Sequence, residues 1–452
     1  MQTQKLAKFI SELRYDTIPD ACIKSVKRSL IDSLGCAASG ASAPWSKAVF
    51  NLVKNMAGKE EASIWFTGVS GPASMVPLVT STMIHSYWFD DIHGAKVHPG
   101  AVVMPAVLAT SEAIGGISGK QMLTAMVAGA ECLARVSKAA DPVKVRLQGL
   151  QPSTVCGSFG AAAGAAKILS LNIQQVSDTL GLASGFAAGN YAFSIDGSAV
   201  EMVQMGSAAQ RGVMAALLAR KESWNSNYGL DAQDGGFCRL FNGGETLSNL
   251  TDNLGVVFEM QNLTMKTFPV CGSLLSYVEA AINLARENNI DPKNVRKVKV
   301  GVAKVVELQC GHPYRQLGIL HAEDNLRYCV AVAMFSHGFT INHLQPKWMN
   351  NKDIIDFIPR IETYLDPEID ASYPAKFSAR IEAEMKDGSI YSSYVDTPTG
   401  SKDRPLSDEQ LVKKFMEQVD GVVESEKAKE IVCLINNLEN MSDVTVLTKL
   451  LA

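Results

Sequence analysis

Near residue 290 the chain changes its period. Val298, Val300 and Val302 alternate with Lys297, Lys299 and Gly301, the two-residue repeat of a strand with one face buried. Farther on, Ala379, Ile381, Ala383 and Met385 alternate again, Asp387-Gly388 offers a hairpin turn, and Ile390 to Val395 returns. Up to about residue 258, by contrast, Ala, Leu and Ile recur at three- and four-residue spacing, broken by Gly, Pro and Asn, the pattern of packed helices. The two periods in this order predict a mainly α protein: a large all-helical domain and a smaller α+β domain spanning residues 259–402. Within the latter, Asn325 to Ser336 reads as a helix. Helical signal resumes at Ser407. That tail is too short to stand alone, so it is expected to pack back and complete the first domain as residues 1–258 plus 403–452.

The length of 452 residues exceeds the ~250–300 at which single cores stop growing, in keeping with two domains. Gly157 to Ala166 puts small residues on every face of one helix. Such a helix gives up intrinsic propensity and must be buried, with close neighbours, to survive. Lys plus Arg number 42 against 46 Asp plus Glu, and no basic cluster could track a phosphate backbone, which argues against nucleic acid as a partner. Nine cysteines are scattered singly from Cys22 to Cys433, without the spacings of a zinc site or a disulfide framework. A reducing compartment follows as the expectation. Glu12 and Asp16 make the N-terminus read as an amphipathic helix and not as a signal peptide, so the expected location is cytoplasmic. The most apolar stretch, Ala101 to Ile117, is interrupted by Pro105 and Glu112 and falls short of the ~20 apolar residues that span a bilayer.

The densest polar cluster in an apolar region is Phe89-Asp90-Asp91-Ile92-His93-Gly94-Ala95-Lys96-Val97-His98-Pro99-Gly100. A carboxylate paired with a histidine fixes the ring's tautomer and tunes its basicity toward neutrality, which is what a general acid or base needs. His98, Asp91 and His93 are the candidates, with Asp90 beside them. The competing reading is that Asp90 or Asp91 caps the following helix. A metal reading of the same cluster lacks a clear third or fourth ligand elsewhere. A second candidate, Leu263-Thr264-Met265-Lys266-Thr267-Phe268-Pro269-Val270-Cys271-Gly272, falls where the domains meet, a common place for ligands. Lys266 could bind a carboxylate there, and Cys271 could act as a base with its pKa lowered. Otherwise Lys266 is a solvated linker residue and Cys271 a small hydrophobe.

Leu30-Ile31-Asp32-Ser33-Leu34-Gly35-Cys36, Phe89-Asp90-Asp91 through His98-Pro99, Lys266-Thr-Phe-Pro-Val-Cys-Gly, and Glu323-Asp324-Asn325-Leu326-Arg327-Tyr328-Cys329 together resemble the signatures of the MmgE/PrpD family, in order along nearly the whole chain. The resemblance implies a helical domain closed by both termini, an α+β lid, dimerisation through the helical part, and an interdomain site needing no cofactor or metal. It implies acid–base chemistry on a small di- or tricarboxylate: dehydration, decarboxylation or epimerisation, as in 2-methylcitrate dehydratase, cis-aconitate decarboxylase and iminodisuccinate epimerase. His98, Asp90 or Asp91, and Lys266 match the family's loop histidine, its neighbouring carboxylate and its substrate-binding lysine.

Three positions depart from that pattern. Gln151 stands where a histidine is usual, Glu201 where a lysine is usual, and Trp88 where an acid is usual. Glutamine cannot donate a proton as imidazolium does, and glutamate for lysine reverses a charge. These changes fit a lyase with an altered substrate, an epimerase that needs no leaving-group acid, or a catalytically silent homologue that binds a carboxylate metabolite.

Overall fold

The structure, a computed structural model, describes residues 1–56, 58–373 and 375–452. It is mainly helical. The helices used below are α1 (Asp20–Gly40), α2 (Val76–His85), α3 (Pro99–Ile114), α4 (Gly119–Ala140), α5 (Pro152–Ile168) and α6 (Val200–Lys221), then α7 (Leu275–Glu287), α8 (Leu326–Ser336) and α9 (Asp408–Val419). Helix α5 is the small-residue helix of the sequence, and from Pro152 to Ala166 each of its residues is buried. The reason is distance. A Cβ added at Gly160 would stand 2.8 Å from the Leu133 Cβ on α4, and one at Gly129 on α4 would stand 2.8 Å from the Gly160 carbonyl oxygen. Dispersion summed over such close backbone contact replaces the large side chains that α5 lacks.

The smaller unit is a four-stranded sheet covered by helices. In it β1 (Val295–Val302) lies parallel to β2 (Ile361–Leu365) and antiparallel to β3 (Ala379–Met385), which pairs with β4 (Ile390–Val395). The register sets Val300 opposite Ile381 and Val298 opposite Ala383, so the alternation in the sequence becomes one apolar face. Val298, Val300, Ile381 and Ala383 share a core with Leu275 and Val278 of α7 and with Tyr328 and Val332 of α8. Asn325 starts α8 by accepting from the Tyr328 N–H at 2.9 Å, an N-cap bond.

The passage between the two units falls later than residue 258. Phe258, Met260, Leu263 and Met265 are buried in the helical core, whereas Val270 belongs to the core of the α+β unit. The apolar side chains past residue 258 therefore carry the helical unit to about Met265. There the two crossing segments run together, the Met265 N–H donating to the Gly400 carbonyl at 2.9 Å. Past the second crossing, Leu411 and Phe415 of α9 lie in the helical core. Lys414 of α9 pairs with Asp32 of α1 at 2.6 Å and donates to the Phe89 carbonyl at 2.8 Å. The last part of the chain thus grips the polar loop that the sequence marks for chemistry.

Gly160→Val is expected to destabilise the helical unit by about 1–3 kcal/mol, because the added methyls have nowhere to go between α4 and α5. Urea unfolding followed by circular dichroism checks it; an unchanged midpoint would contradict the packing described.

Candidate active site

Helix α2 ends at His85, the chain turns through residues 86–98, and α3 begins at Pro99 with His98 in its N-cap position. Two residues of this loop, Trp88 and Lys96, have positive φ of 43° and 57°, conformations that cost a non-glycine residue about 1–3 kcal/mol and persist only where the surroundings impose them. Three contacts do so. Lys414 holds the Phe89 carbonyl, Lys266 donates to the Trp88 carbonyl at 2.6 Å, and Ile92–His93 pairs antiparallel with Leu263–Thr264.

Inside the loop lies a buried chain of charges. Glu201 on α6 accepts from His85 Nε2 at 3.0 Å, His85 Nδ1 lies 3.0 Å from both Asp90 oxygens, and His98 Nδ1 lies 3.0 Å from Asp90 Oδ2. His85, Asp90 and Glu201 are all buried. Burial opposes a charged imidazole, yet the two carboxylates outweigh it and hold His85 up to about 10. Asp90 and Glu201 are correspondingly held below their ordinary values, burial being outweighed by the imidazole partners. The buried unit is a carboxylate–imidazolium–carboxylate. His98, whose ring centroid is 4.7 Å from that of His85, goes the other way: burial lowers its pKa, Asp90 opposes, and Lys266 and His85 lower it further. At neutral pH it is a neutral base. Its Nδ1 is committed to Asp90, which leaves the Nε2 edge for the cleft, where no described residue bonds to it.

The cleft lies between the two units and is lined by His98, Lys266, Lys96, Arg146, Cys271 and Tyr373, among others. Lys96 donates to the Tyr373 hydroxyl at 2.7 Å, and burial lowers its pKa. The Arg146 guanidinium stacks 3.5 Å above the Tyr191 ring, and its Nε is buried without a partner. Cys271 is held down to about 6 by a hydrogen bond from the Cys310 thiol, against the opposing effect of burial, with the Ser273 N–H and the Lys266 charge adding to the lowering. Two groupings bring atoms of metal-ligating type within 4.8 Å of one another: His85, Asp90 and His98, and Cys271, Cys310 and Asp324. Both are hydrogen-bonded clusters, as in Asp90 with His85 and His98 at 3.0 Å and Asp324 with Ser194 at 3.2 Å, and neither needs a cation to explain it.

The MmgE/PrpD N-terminal domain model matches residues 4–249, and the MmgE/PrpD C-terminal domain model matches residues 268–440. The chain belongs to the MmgE/PrpD family. It is 25% identical to a cis-aconitate decarboxylase of Aspergillus terreus, covering 99% of this chain and 95% of that protein. It is 23% identical to the cis-aconitate decarboxylase of Homo sapiens, with 99% and 94% covered. The mainly helical fold with small sheets is that of this family.

Within this MmgE/PrpD chain His98, Lys266, His93, Gln151, Glu201 and Cys271 all line the cleft, with Asp90 immediately behind His98. Asp91 does not line it. One of its oxygens accepts from Ser29 and the other from the Gly100 N–H at 2.9 Å. A Cβ at Gly100 would reach 3.0 Å from either oxygen, so glycine there makes room for the carboxylate. Asp91 caps α3, and a catalytic Asp91 is corrected to a structural one. Burial pushes its carboxyl up to about 7. His93 accepts from the Ala95 N–H at its Nδ1 and turns Nε2 to Glu259 at 3.3 Å. His85, Arg146, Tyr191 and Tyr373 were not singled out by sequence. His85 follows an apolar helix and precedes Asp90 by five positions, a spacing that carries a signal only once the turn is known.

Of the three residues that the sequence sets apart from the family resemblance, Gln151 and Trp88 both meet the third, Glu201. Glu201 accepts from Gln151 Nε2 at 2.9 Å and from Trp88 Nε1 at 3.0 Å, besides His85. Glu201→Lys alone would therefore set a second cation against His85 and leave Trp88 and Gln151 without their acceptor. Breaking a buried pair costs about 3–5 kcal/mol, so the thermal midpoint is expected to fall clearly, and a midpoint equal to the parent's would contradict the network. The pH dependence has a defined sign. A histidine raised from 6.5 to about 10 contributes stability that is complete below 6.5 and is lost as pH rises through about 10. The lowered carboxylates contribute above their ordinary values and are lost in acid.

Proposed function

We propose that this chain is a cofactor-independent acid–base enzyme acting on a small di- or tricarboxylate, and that it is a lyase that dehydrates or decarboxylates its substrate. The observation that carries the reading is the neutral His98, backed by Asp90, with its free Nε2 edge on a cleft ringed by Lys96, Arg146 and Lys266. Charge-assisted hydrogen bonds from these cations bind carboxylates, and Arg146, with an unused Nε–H, can do so with two parallel bonds. The same cations stabilise the negative charge that grows on a carbon next to a carboxylate when a proton or CO₂ leaves it. In a dehydration His98 takes that proton and the hydroxyl leaves with a proton from a second group. In a decarboxylation the bond to the carboxylate breaks, its electron pair stays on carbon, and a second, protonated group on the cleft delivers a proton there. The names of the relatives support the lyase reading.

A second reading, epimerisation of a dicarboxylate, draws on Cys271. An epimerase exchanges protons on two faces of one carbon, and Cys271 is a thiol held down to about 6 on the same cleft as His98. A silent homologue that only binds a carboxylate is the third outcome. The proposal includes a homodimer through the helical unit, for which sedimentation should give twice the chain mass. No helix among the described residues is long and apolar enough to cross a membrane.

NMR of the protein in D₂O with a panel of di- and tricarboxylates separates these readings: elimination or loss of CO₂ for a lyase, deuterium entering carbon without net loss for an epimerase. No change with any member would sink both. His98→Ala is expected to lower turnover by about 10²–10⁴-fold, the usual weight of a general acid or base, and full activity would reject its role. Since the His98 pKa is lowered from 6.5, the acidic limb of kcat/KM should have its midpoint below 6.5.

A further inference from the structure

A neutral imidazole is a base at Nε2 only while its proton sits on Nδ1, and the group opposite Nδ1 decides this. In this chain that group is Asp90, whose Oδ2 lies 3.0 Å from His98 Nδ1. An ionised Asp90 can only accept, so His98 must donate from Nδ1 and its Nε2 lone pair faces the cleft. A protonated Asp90 would be free to donate its own O–H to Nδ1, and the histidine proton would then sit on Nε2, where it blocks proton abstraction.

Asp90 is fully buried, and burial alone would push its carboxyl toward the protonated form. What opposes this is His85, both of whose ring nitrogens are spanned by carboxylates at 3.0 Å, Asp90 on one side and Glu201 on the other. Glu201 is in turn kept ionised without solvent chiefly by the His85 charge and hydrogen bond, with the Trp88 N–H adding to the lowering, and it accepts from Gln151 as well. We propose that Glu201 and His85 are positioning residues, which act through Asp90 to fix the tautomer of His98, and that Trp88, Gln151 and Glu201 form one unit built for this purpose.

The groups that face the relay come from several elements. His85 is met by Asp90 from the loop and Glu201 from α6, with His98 across an edge-to-face contact at 4.7 Å between ring centroids. Lys266, from the crossing segment, acts on His98. Glu323, just before α8, is buried with neither oxygen paired, and burial raises its pKa well above the ordinary value although Lys266 and His85 oppose. Held as a neutral acid, Glu323 adds no charge. Asp91, Asp32 and Lys414 face Asp90 from the loop, α1 and α9, and a second imidazolium so close to His85 is disfavoured.

Ring-labelled ¹⁵N-histidine NMR tests this on the whole protein, with His85→Gln and His98→Gln assigning the two signals. The expected parent spectrum has His85 protonated at both nitrogens beyond pH 8 and neutral His98 with its proton on Nδ1. In Glu201→Gln, the His85 titration should fall by about one pH unit or more, the scale of losing an opposite charge within ~4–6 Å, and above that lowered titration His98 should gain the Nε2–H form. Turnover should drop about 10–100-fold with KM little changed, and Glu201→Asp should restore much of both. A parent His85 that titrates near 6.5, or a His98 that keeps Nδ1–H above the lowered His85 titration in Glu201→Gln, overturns the proposal. Its kinetic arm rests on the acid–base reading above, and its spectroscopic arm does not. A charged His85 in a protein inert toward the whole panel would sink that reading alone, whereas a neutral His85 in an active enzyme would sink this inference alone.

Discussion

The pairing of one buried imidazole with two buried carboxylates governs the architecture of the cleft. Ions taken out of water cost several kcal/mol each unless geometry and hydrogen bonds compensate, and here the compensation draws on distant parts of the chain. His85 comes from the end of α2, Asp90 from the loop, and Glu201 from α6 more than a hundred residues later. A network of this kind tolerates little movement, so the loop that bears Asp90 has to be held rigidly. Lys414 from the last part of the chain and Lys266 from the interdomain crossing each take a backbone carbonyl of that loop. Their positive charges also lie near the carboxylates: Lys414 neutralises Asp32, and Lys266 presses on His98. The left-handed conformation of Trp88 lies at one of these anchor points.

Much of this fold could be read from the sequence because burial imposes a period. The valines of β1 and the hairpin of β3 and β4 have one face against helices, and their alternation says so. β2 has no comparable signature: of Ile361 to Leu365 only Ile361 is buried, so nothing in its pattern distinguishes a strand from a loop, and its place parallel to β1 comes from tertiary pairing. The boundary of the helical unit is obscure in sequence for a similar reason. Leu263 and Met265 follow the last helical run without a period of their own, and only the core they enter shows to which unit they belong.

The site was readable where chemistry is concentrated in sequence and obscure where it is assembled in space. His98, Asp90 and Lys266 stand in polar or junctional segments and announce themselves. Asp91, equally conspicuous, turns inward to cap α3, because two adjacent residues on a tight turn point in different directions and only one of them can face His98. His85 and Arg146 were hidden by context: the first is a single imidazole at the end of an apolar helix, the second one of two basic residues in the short helix Pro142–Leu147. No local property separates a histidine clasped by two acids from one that merely fills space.

The three departures from the family pattern bear on whether the site is altered or decayed. A site that has lost its purpose accumulates substitutions independently, and a carboxylate placed at random in a protein interior is left unpaired or protonated. Glu323, whose oxygens have no partner among the described residues and whose pKa burial drives up, is an unpaired carboxylate in this same region. Glu201 shows the opposite. Reversing the charge at that position removes a cation but creates an acceptor, and Trp88 and Gln151 each supply an N–H at about 3 Å to fill it, while His85 supplies the balancing charge. Any one of these changes alone leaves a buried polar group unsatisfied, at a cost of about 1–3 kcal/mol or more. Their mutual satisfaction is what keeping an ionised glutamate at that buried position requires.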